Sequence, residues 1–272
     1  MHIKRQEDVT LYEFEQSAQL PVTTFVTTRE LTGEPTDARG NFNVGLFCGD
    51  CEQTVESNLQ RLCRALKIDR SKLVYPRQTH GTEICTIDSA FFTLSAGQQK
   101  EALDGKDALI TDLTETAIAV TTADCVPVLL YDPVHRAAAA IHAGWRGTVQ
   151  LITRRTIEAM RQRYGSRAED MYAAIGPCIG REAYEVGNEV AEAFARSGYN
   201  LDSIAARNSA TGKYHIDLAA ANADLLLRDG IALDRLEVCG LCTHTLHDTF
   251  YSVRALGADT GRFLTGILIR KK

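Results

Sequence analysis

Long hydrophobic runs are missing from this 272-residue chain. The longest apolar stretches, Val126 to Tyr131 and Ala137 to Ile141, fall far short of the roughly 20 residues that cross a bilayer. A transmembrane helix is excluded and no membrane partner is expected. Proline is scarce, with 6 residues, and glycine is ordinary, with 20, which rules out collagen-like and low-complexity classes. Positive charge is not in excess: 30 Lys and Arg against 35 Asp and Glu leave a formal charge of −5. No whole-molecule field draws a phosphate backbone, so nucleic acid is not an expected partner and any anion site has to be local. The first 20 residues carry His2, Lys4, Arg5, Glu7, Asp8, Glu13 and Glu15 with no apolar core. No signal peptide is visible there, and the cytoplasm is the expected location. Neither G-x-G-x-x-G nor G-x-x-x-x-G-K-[ST] occurs, so nothing argues for a dinucleotide fold or a P-loop.

What is present is an ordinary globular composition, 44% hydrophobic and 24% charged. The absence of repeats, charge blocks and Pro/Ser-rich linkers predicts one domain over residues 1–272. Strand signals cover Val22 to Thr28, Ala108 to Asp112, Ala117 to Thr122, Val126 to Tyr131 and Arg136 to His142, with a turn-rich stretch over Thr32 to Asn43. The strands are nearly continuous in hydrophobicity, the mark of a sheet covered on both faces. Val55, Leu59, Leu62 and Leu66 recur at helical spacing, and further helices are expected from Thr148 to Tyr164, from Ala183 to Arg196, and after a cap at Asp217. Helices and strands alternate irregularly. This favours a layered α/β (α+β mixed) domain, with mixed central sheets flanked by helices, over a doubly wound fold.

Three segments place a metal-competent side chain at a strand end or beside glycine: Gln78-Thr79-His80-Gly81, Ala123-Asp124-Cys125 and His142-Ala143-Gly144-Trp145-Arg146-Gly147. Such junctions combine a rigid scaffold with an exposed tip. Two His and one Cys form an N, S, N set. With a fourth position open, that set suits a catalytic zinc, which lowers the pKa of a bound water or polarises a substrate oxygen. The plainer reading is three unrelated core or hydrogen-bonded residues. Cys125 with His142 also fits a metal-free thiol nucleophile, with Asp124 or another acid orienting the base. His80 favours the metal, because a dyad has no use for a second His. Arg146 precedes the strongest helical pattern, where free N–H groups and the dipole favour an anion. Eight Cys in a reducing compartment are expected to be buried, metal-bound or catalytic. The Cys48/Cys51 and Cys239/Cys242 pairs are too far apart in sequence for a compact zinc ribbon, and His244 and His247 read as loop or pocket lining. His2, His135 and His215 read as structural or exposed.

The same segments carry a resemblance. Phe42-Asn43-Val44-Gly45, Gln78 to Thr82, Asp107 to Thr111, Thr122 to Pro127, His142 to Gly147, Ile175 to Gly180, Tyr184 to Gly187, Asp217-Leu218, Cys242-Thr243 and Thr260-Gly261-Arg262 occur in the order found in the laccase-domain family. That family was once called polyphenol oxidases and is now treated as purine nucleoside phosphorylases. The likeness runs from about Phe25 to the C-terminus. It implies one zinc ion held by His80, Cys125 and His142. It further implies phosphorolysis of adenosine, inosine and 5′-methylthioadenosine to base and ribose 1-phosphate, with adenosine deaminase activity besides. Purine nucleosides and phosphate are then the partners, Cys125, His142 and Asp124 the catalytic residues, and Arg146, Asn43 and Arg262 the substrate or phosphate contacts. Two departures stand out: Asn58-Leu59 replaces the family's Asn-Arg in the first helix, and an arginine-rich stretch is reduced to Ser252-Val253-Arg254. The Cys48/Cys51 pair is no feature of the family. A multicopper oxidase needs roughly ten His, against seven here with no H-x-H pair. Copper can at most occupy the single site and oxidise phenols adventitiously. Outside the family stand two further readings: a metal-independent Cys/His hydrolase or deamidase, and a non-catalytic metal or nucleoside binder.

Overall fold

A computed structural model of the chain describes residues 1–30, 39–46 and 48–271. Its strands, in chain order, are β1 (His2–Gln6), β2 (Val9–Glu13), β3 (Val22–Thr27), β4 (Leu73–Val74), β5 (Ile84–Thr86), β6 (Ala108–Thr111), β7 (Ala117–Thr122), β8 (Val126–Asp132), β9 (Ala137–Ala143), β10 (Tyr172–Ile175), β11 (Glu185–Val186), β12 (Ala205–Arg207), β13 (Tyr214–Ile216), β14 (Leu236–Val238) and β15 (Phe263–Ile269). The helices are α1 (Glu52–Leu66), α2 (Ala96–Leu103), α3 (Trp145–Val149), α4 (Ile152–Tyr164), α5 (Asn188–Arg196), α6 (Leu201–Ile204), α7 (Leu218–Arg228) and α8 (Val253–Leu256). Among the described residues, no helix is long and apolar enough to cross a membrane.

Two six-stranded sheets form the centre, in the orders β1-β2-β3-β15-β7-β4 and β14-β10-β8-β9-β6-β5. Most pairs are antiparallel. The exceptions are β4 with β7, β5 with β6 and β10 with β14, which makes both sheets mixed. The period of two along a strand decides which layer each side chain enters. In β8, Val126, Val128 and Leu130 face the helices α4, α5 and α7, while Leu129 and Tyr131 meet the first sheet. In β9, Ala138 and Ala140 enter the space between the sheets, where small side chains allow close approach. Helix α1 covers the outer face of the first sheet with Val55, Leu59, Leu62 and Leu66. Each buried leucine there contributes roughly 1.5–3 kcal/mol of burial free energy. The resulting order is helix, sheet, sheet, helices, which explains why the strands read as apolar on both faces.

The chain passes from the first sheet to the second twice at one end of the sandwich. One passage is the loop of residues 75–83 between β4 and β5, and the other is the short turn between β7 and β8.

Two expectations are corrected. The helix expected from Thr148 to Tyr164 is two helices: α3 ends at Val149, and Leu151 adopts a left-handed φ of +62° before α4 begins. The helix expected from Ala183 starts only at Asn188, because Glu185–Val186 pairs with β13 as a strand. Most of the turn-rich stretch from Thr32 lies outside the described residues. Asp217 does cap α7, accepting from the Ala220 N–H at 2.8 Å.

Candidate metal centre

Both sheet-to-sheet passages meet the C-terminal end of β9 and bring three side chains together. His80 lies in the 75–83 loop, Cys125 in the β7–β8 turn and His142 at the penultimate position of β9. One donor atom from each lies within 4.8 Å of the others, and the trio is the one such group among the described residues. The two imidazoles stand edge to face with centroids 4.8 Å apart. A tetrahedral zinc with ordinary bond lengths holds N and S donors roughly 3.3–3.6 Å apart, so a small rotamer adjustment closes the trio on an ion. Gly144 leaves the room for this: a Cβ there would sit 3.0 Å from both Cys125 Sγ and His80 Cδ2. The donor set and its spacing therefore fit a metal ion.

Asp107, at the entrance to β6 and fully buried, organises two of the three. Its Oδ1 accepts from His142 Nδ1 at 2.7 Å, which leaves Nε2 to face the trio. Its carboxylate also accepts the backbone N–H groups of Thr79, His80 and Gly81 at 3.2, 3.0 and 2.7 Å. This cradle holds His80 at a left-handed φ of +62°. A carboxylate behind a ligating histidine sets both its tautomer and its orientation. Sequence reading gave Asp107 no role, although the Asp-Ala-Leu-Ile-Thr segment was legible as a strand entry. Gln78 fixes the same loop to β7: its amide nitrogen donates to Thr121 O at 2.7 Å, and its Oε1 accepts from Thr121 N at 2.8 Å.

Burial alone would raise the Cys125 thiol and depress His142. Their mutual charge and hydrogen bond reverse both tendencies, lowering Cys125 and raising His142, with Asp107 adding to the latter. Without a metal, the pair is thus poised as thiolate and imidazolium. Asp107 is also exposed to a burial penalty that would raise it, but the His142 hydrogen bond and charge and the loop N–H groups leave it lowered.

A cavity of about 380 Å³ opens over the trio, within the range of small-ligand sites. Its wall includes Tyr75, Gln78, Thr122, Asp124, Tyr184, Arg254 and Arg262. A larger, more open groove of about 1210 Å³ adjoins it at Leu46, Tyr75 and Pro76 but contains neither His nor Cys.

Asp124 faces the cavity but is fully engaged. Oδ1 accepts from Thr243 Oγ1 at 2.7 Å and Oδ2 from Arg254 N at 2.8 Å, with φ at +100°. It positions the loop that carries Cys125 and is bonded to neither Cys125 nor His142. Asn43 is buried and off the cavity wall; its Oδ1 accepts from Gly45 N and Arg262 N at 2.9 and 2.8 Å, and its amide nitrogen donates to Gly45 O, Cys48 and Asp50. Arg146 is exposed, lies over the Trp145 ring at 4.4 Å and is also off the wall. Arg262 does line the cavity, as does Arg254, which sequence reading noted only as a remnant. Cys48 is buried against Asn43, whereas Cys51 is exposed at the start of α1, so the two form no ligand pair. Cys242 lies instead beside Cys178, its partner in an isolated β-bridge. His244 and His247 sit in a turn off the cavity wall.

The profile of the family described as multi-copper polyphenol oxidoreductase laccase matches residues 23–270. A purine nucleoside phosphorylase of Bacteroides thetaiotaomicron is 43% identical over 247 residues, covering 91% of each chain. Adenosine deaminase RL5, from an unknown prokaryotic organism, is 41% identical over 90% of this chain and 93% of its own. The crystal structure of Bacillus licheniformis hypothetical protein YfiH superposes with a TM-score of 0.88 at 30% identity, covering 98% of this chain and 99% of that one.

Proposed function

The chain belongs to the multi-copper polyphenol oxidoreductase laccase family, and from that premise we propose that it is a zinc-dependent purine nucleoside phosphorylase acting as one functional unit in the cytoplasm. Its substrates are adenosine, inosine and 5′-methylthioadenosine, with hydrolytic deamination of adenosine as a second activity. The observation that carries the reading is the His80, Cys125 and His142 trio in the floor of a nucleoside-sized cavity. The names of the relatives supply the substrate class.

His80, Cys125 and His142 would hold the ion, which supplies a Lewis acid and an activated water when bound. Asp107 fixes the His142 ring so that Nε2 faces the shared space, and Gln78 ties the His80 loop to β7. In phosphorolysis the C1′–N9 bond breaks, its electron pair leaving with the purine. A C1′–O bond to phosphate forms, and the proton of hydrogen phosphate goes to the base. Atoms and charge balance with no further reactant. In deamination, water replaces the 6-amino group and ammonia departs. Seven histidines and a single donor trio among the described residues leave no room for a full laccase copper set, so phenol oxidation is at most a property of a copper-substituted site.

A second reading has its own observation. Cys125, His142 and Asp107 line up as thiol, imidazole and carboxylate, the order of a cysteine hydrolase or deamidase. One experiment separates the two. Protein purified without added metal is assayed for zinc and for adenine release from adenosine with and without phosphate. About one zinc per chain and phosphate-dependent adenine support the phosphorylase, with inosine in either condition marking the deaminase. Turnover that survives chelation and dies on thiol alkylation would replace it with the hydrolase.

A further inference from the structure

Phosphorolysis brings a dianion beside the sugar, and the sequence offers Arg146, ahead of a long helical pattern, with Asn43 and Arg262 as its contacts. The helix there is α3, only five residues long, and its arginine lies on Trp145 away from the cavity wall. The guanidinium groups on the wall are those of Arg254 and Arg262. Each is held in the same way. Arg254 Nη1 donates to the main-chain oxygens of Ala183 and Glu185 at 3.1 and 3.2 Å, and Arg262 Nη1 to those of Thr260 and Gly261 at 2.5 and 2.9 Å. Two carbonyls on one nitrogen fix the plane of a guanidinium. The Nε and Nη2 edge, the fork that matches two phosphate oxygens, makes no hydrogen bond among the described residues. Neither arginine has a carboxylate partner among the described residues.

Their seats are built with comparable care. Gly45 lets Arg262 lie across it, since a Cβ there would meet Arg262 Cγ at 2.6 Å, and Asn43 Oδ1 bonds the backbone N–H groups of both residues. Asp124 bonds the Arg254 N–H from the position next to Cys125.

We infer that Arg254 and Arg262 form the phosphate clamp of this site, with Asn43 and Asp124 as positioning residues. The inference rests on the phosphorylase reading and adds to it which groups take the anion. The test uses the zinc-loaded full chain and initial rates of adenine release against inorganic phosphate. Arg254→Gln and Arg262→Gln are each expected to raise KM for phosphate about tenfold or more, the loss of one charge-assisted pair, and to raise KM for adenosine far less. Line broadening of the phosphorus resonance of inorganic phosphate by the metal-free protein gives a readout independent of turnover, and both arginine variants lose it. An unmoved phosphate KM in both variants, or the same shift in Arg146→Gln instead, overturns the clamp. If the parent releases no adenine, the phosphorylase reading fails. The clamp is then judged by the resonance alone: phosphate broadening lost in the variants upholds it, and broadening absent or unchanged ends it.

Discussion

A single methyl group at Gly144 tests whether the donor trio is a metal centre. Gly144 has φ −67° and ψ 169°, an extended conformation open to any residue, so Gly144→Ala adds bulk without backbone strain. The new Cβ would lie 3.0 Å from Cys125 Sγ and from His80 Cδ2, and 3.8 Å from His142 Cε1. Comfortable carbon contacts begin at about 3.5 Å, so two of the three donors have to retreat by roughly half an ångström. Metal–ligand distances tolerate only about 0.2 Å. The backbone offers no compensation, because Cys125 enters a fully buried strand and His80 is tied to Asp107. Zinc affinity should fall on the order of 10–100-fold, the size of other disturbances just outside the coordination sphere. The metal-free protein should melt within about 3 °C of the parent, the residual loss coming from the weaker cap at α3. Competition against a zinc chelator of known affinity measures the first, and calorimetry of the stripped protein the second. Unchanged zinc affinity would refute the assignment of this space to an ion.

Asp107→Asn should lower zinc affinity by a similar order of magnitude and lower the urea midpoint of the metal-free protein at pH 7. Because the folded carboxyl is held below its ordinary value, its stabilisation is present above about pH 4 and is lost as pH falls through the depressed folded value. The gap between variant and parent should therefore narrow in acid, and a gap that widens there contradicts the sign. Cys51 is exposed and lowered by the Thr54 and Gln53 N–H groups, while burial pushes Cys63 up to about 11. Iodoacetamide at pH 7.5 should label Cys51 well ahead of Cys63 in the native protein; peptide mapping that finds both labelled at comparable rates would defeat this. Lys67 ends α1 in an exposed left-handed conformation at φ 56°. Lys67→Gly should stabilise by about 1 kcal/mol and raise the melting temperature by roughly 2 °C, and a lower melting temperature would count against it.

The donor trio was legible in the sequence because each member stands at a strand end or beside glycine, where pattern and chemistry coincide. The layered fold was legible for a related reason: strands apolar on both sides demand cover on both sides. Asp107 was not legible as an orienter, since an acid ahead of a buried strand looks like any loop residue until His142 is placed opposite it. The break at Leu151 has no local signal either, because leucine does not advertise a left-handed backbone. Asn43 is the reverse case. Its motif points to contact with substrate, while its oxygen and nitrogen bond within the fold and reach the cavity wall through the Arg262 backbone. Arg254 looked like the remnant of a longer basic stretch, and its importance emerged only from two carbonyls more than sixty positions away in the chain.

The donors sit where the chain crosses from one sheet to the other, and that placement has a mechanical meaning. An ion bound there acts as a rivet through both layers, fastening two crossings and a strand end that otherwise rely on hydrogen bonds to Asp107 and Gln78. At a free metal concentration 100 times its dissociation constant, such a rivet adds about 2.7 kcal/mol to the folded state. Stripping an ion so bound would cost the fold that much stability, so its loss would reach the packing of the two sheets as well as the chemistry of the cavity.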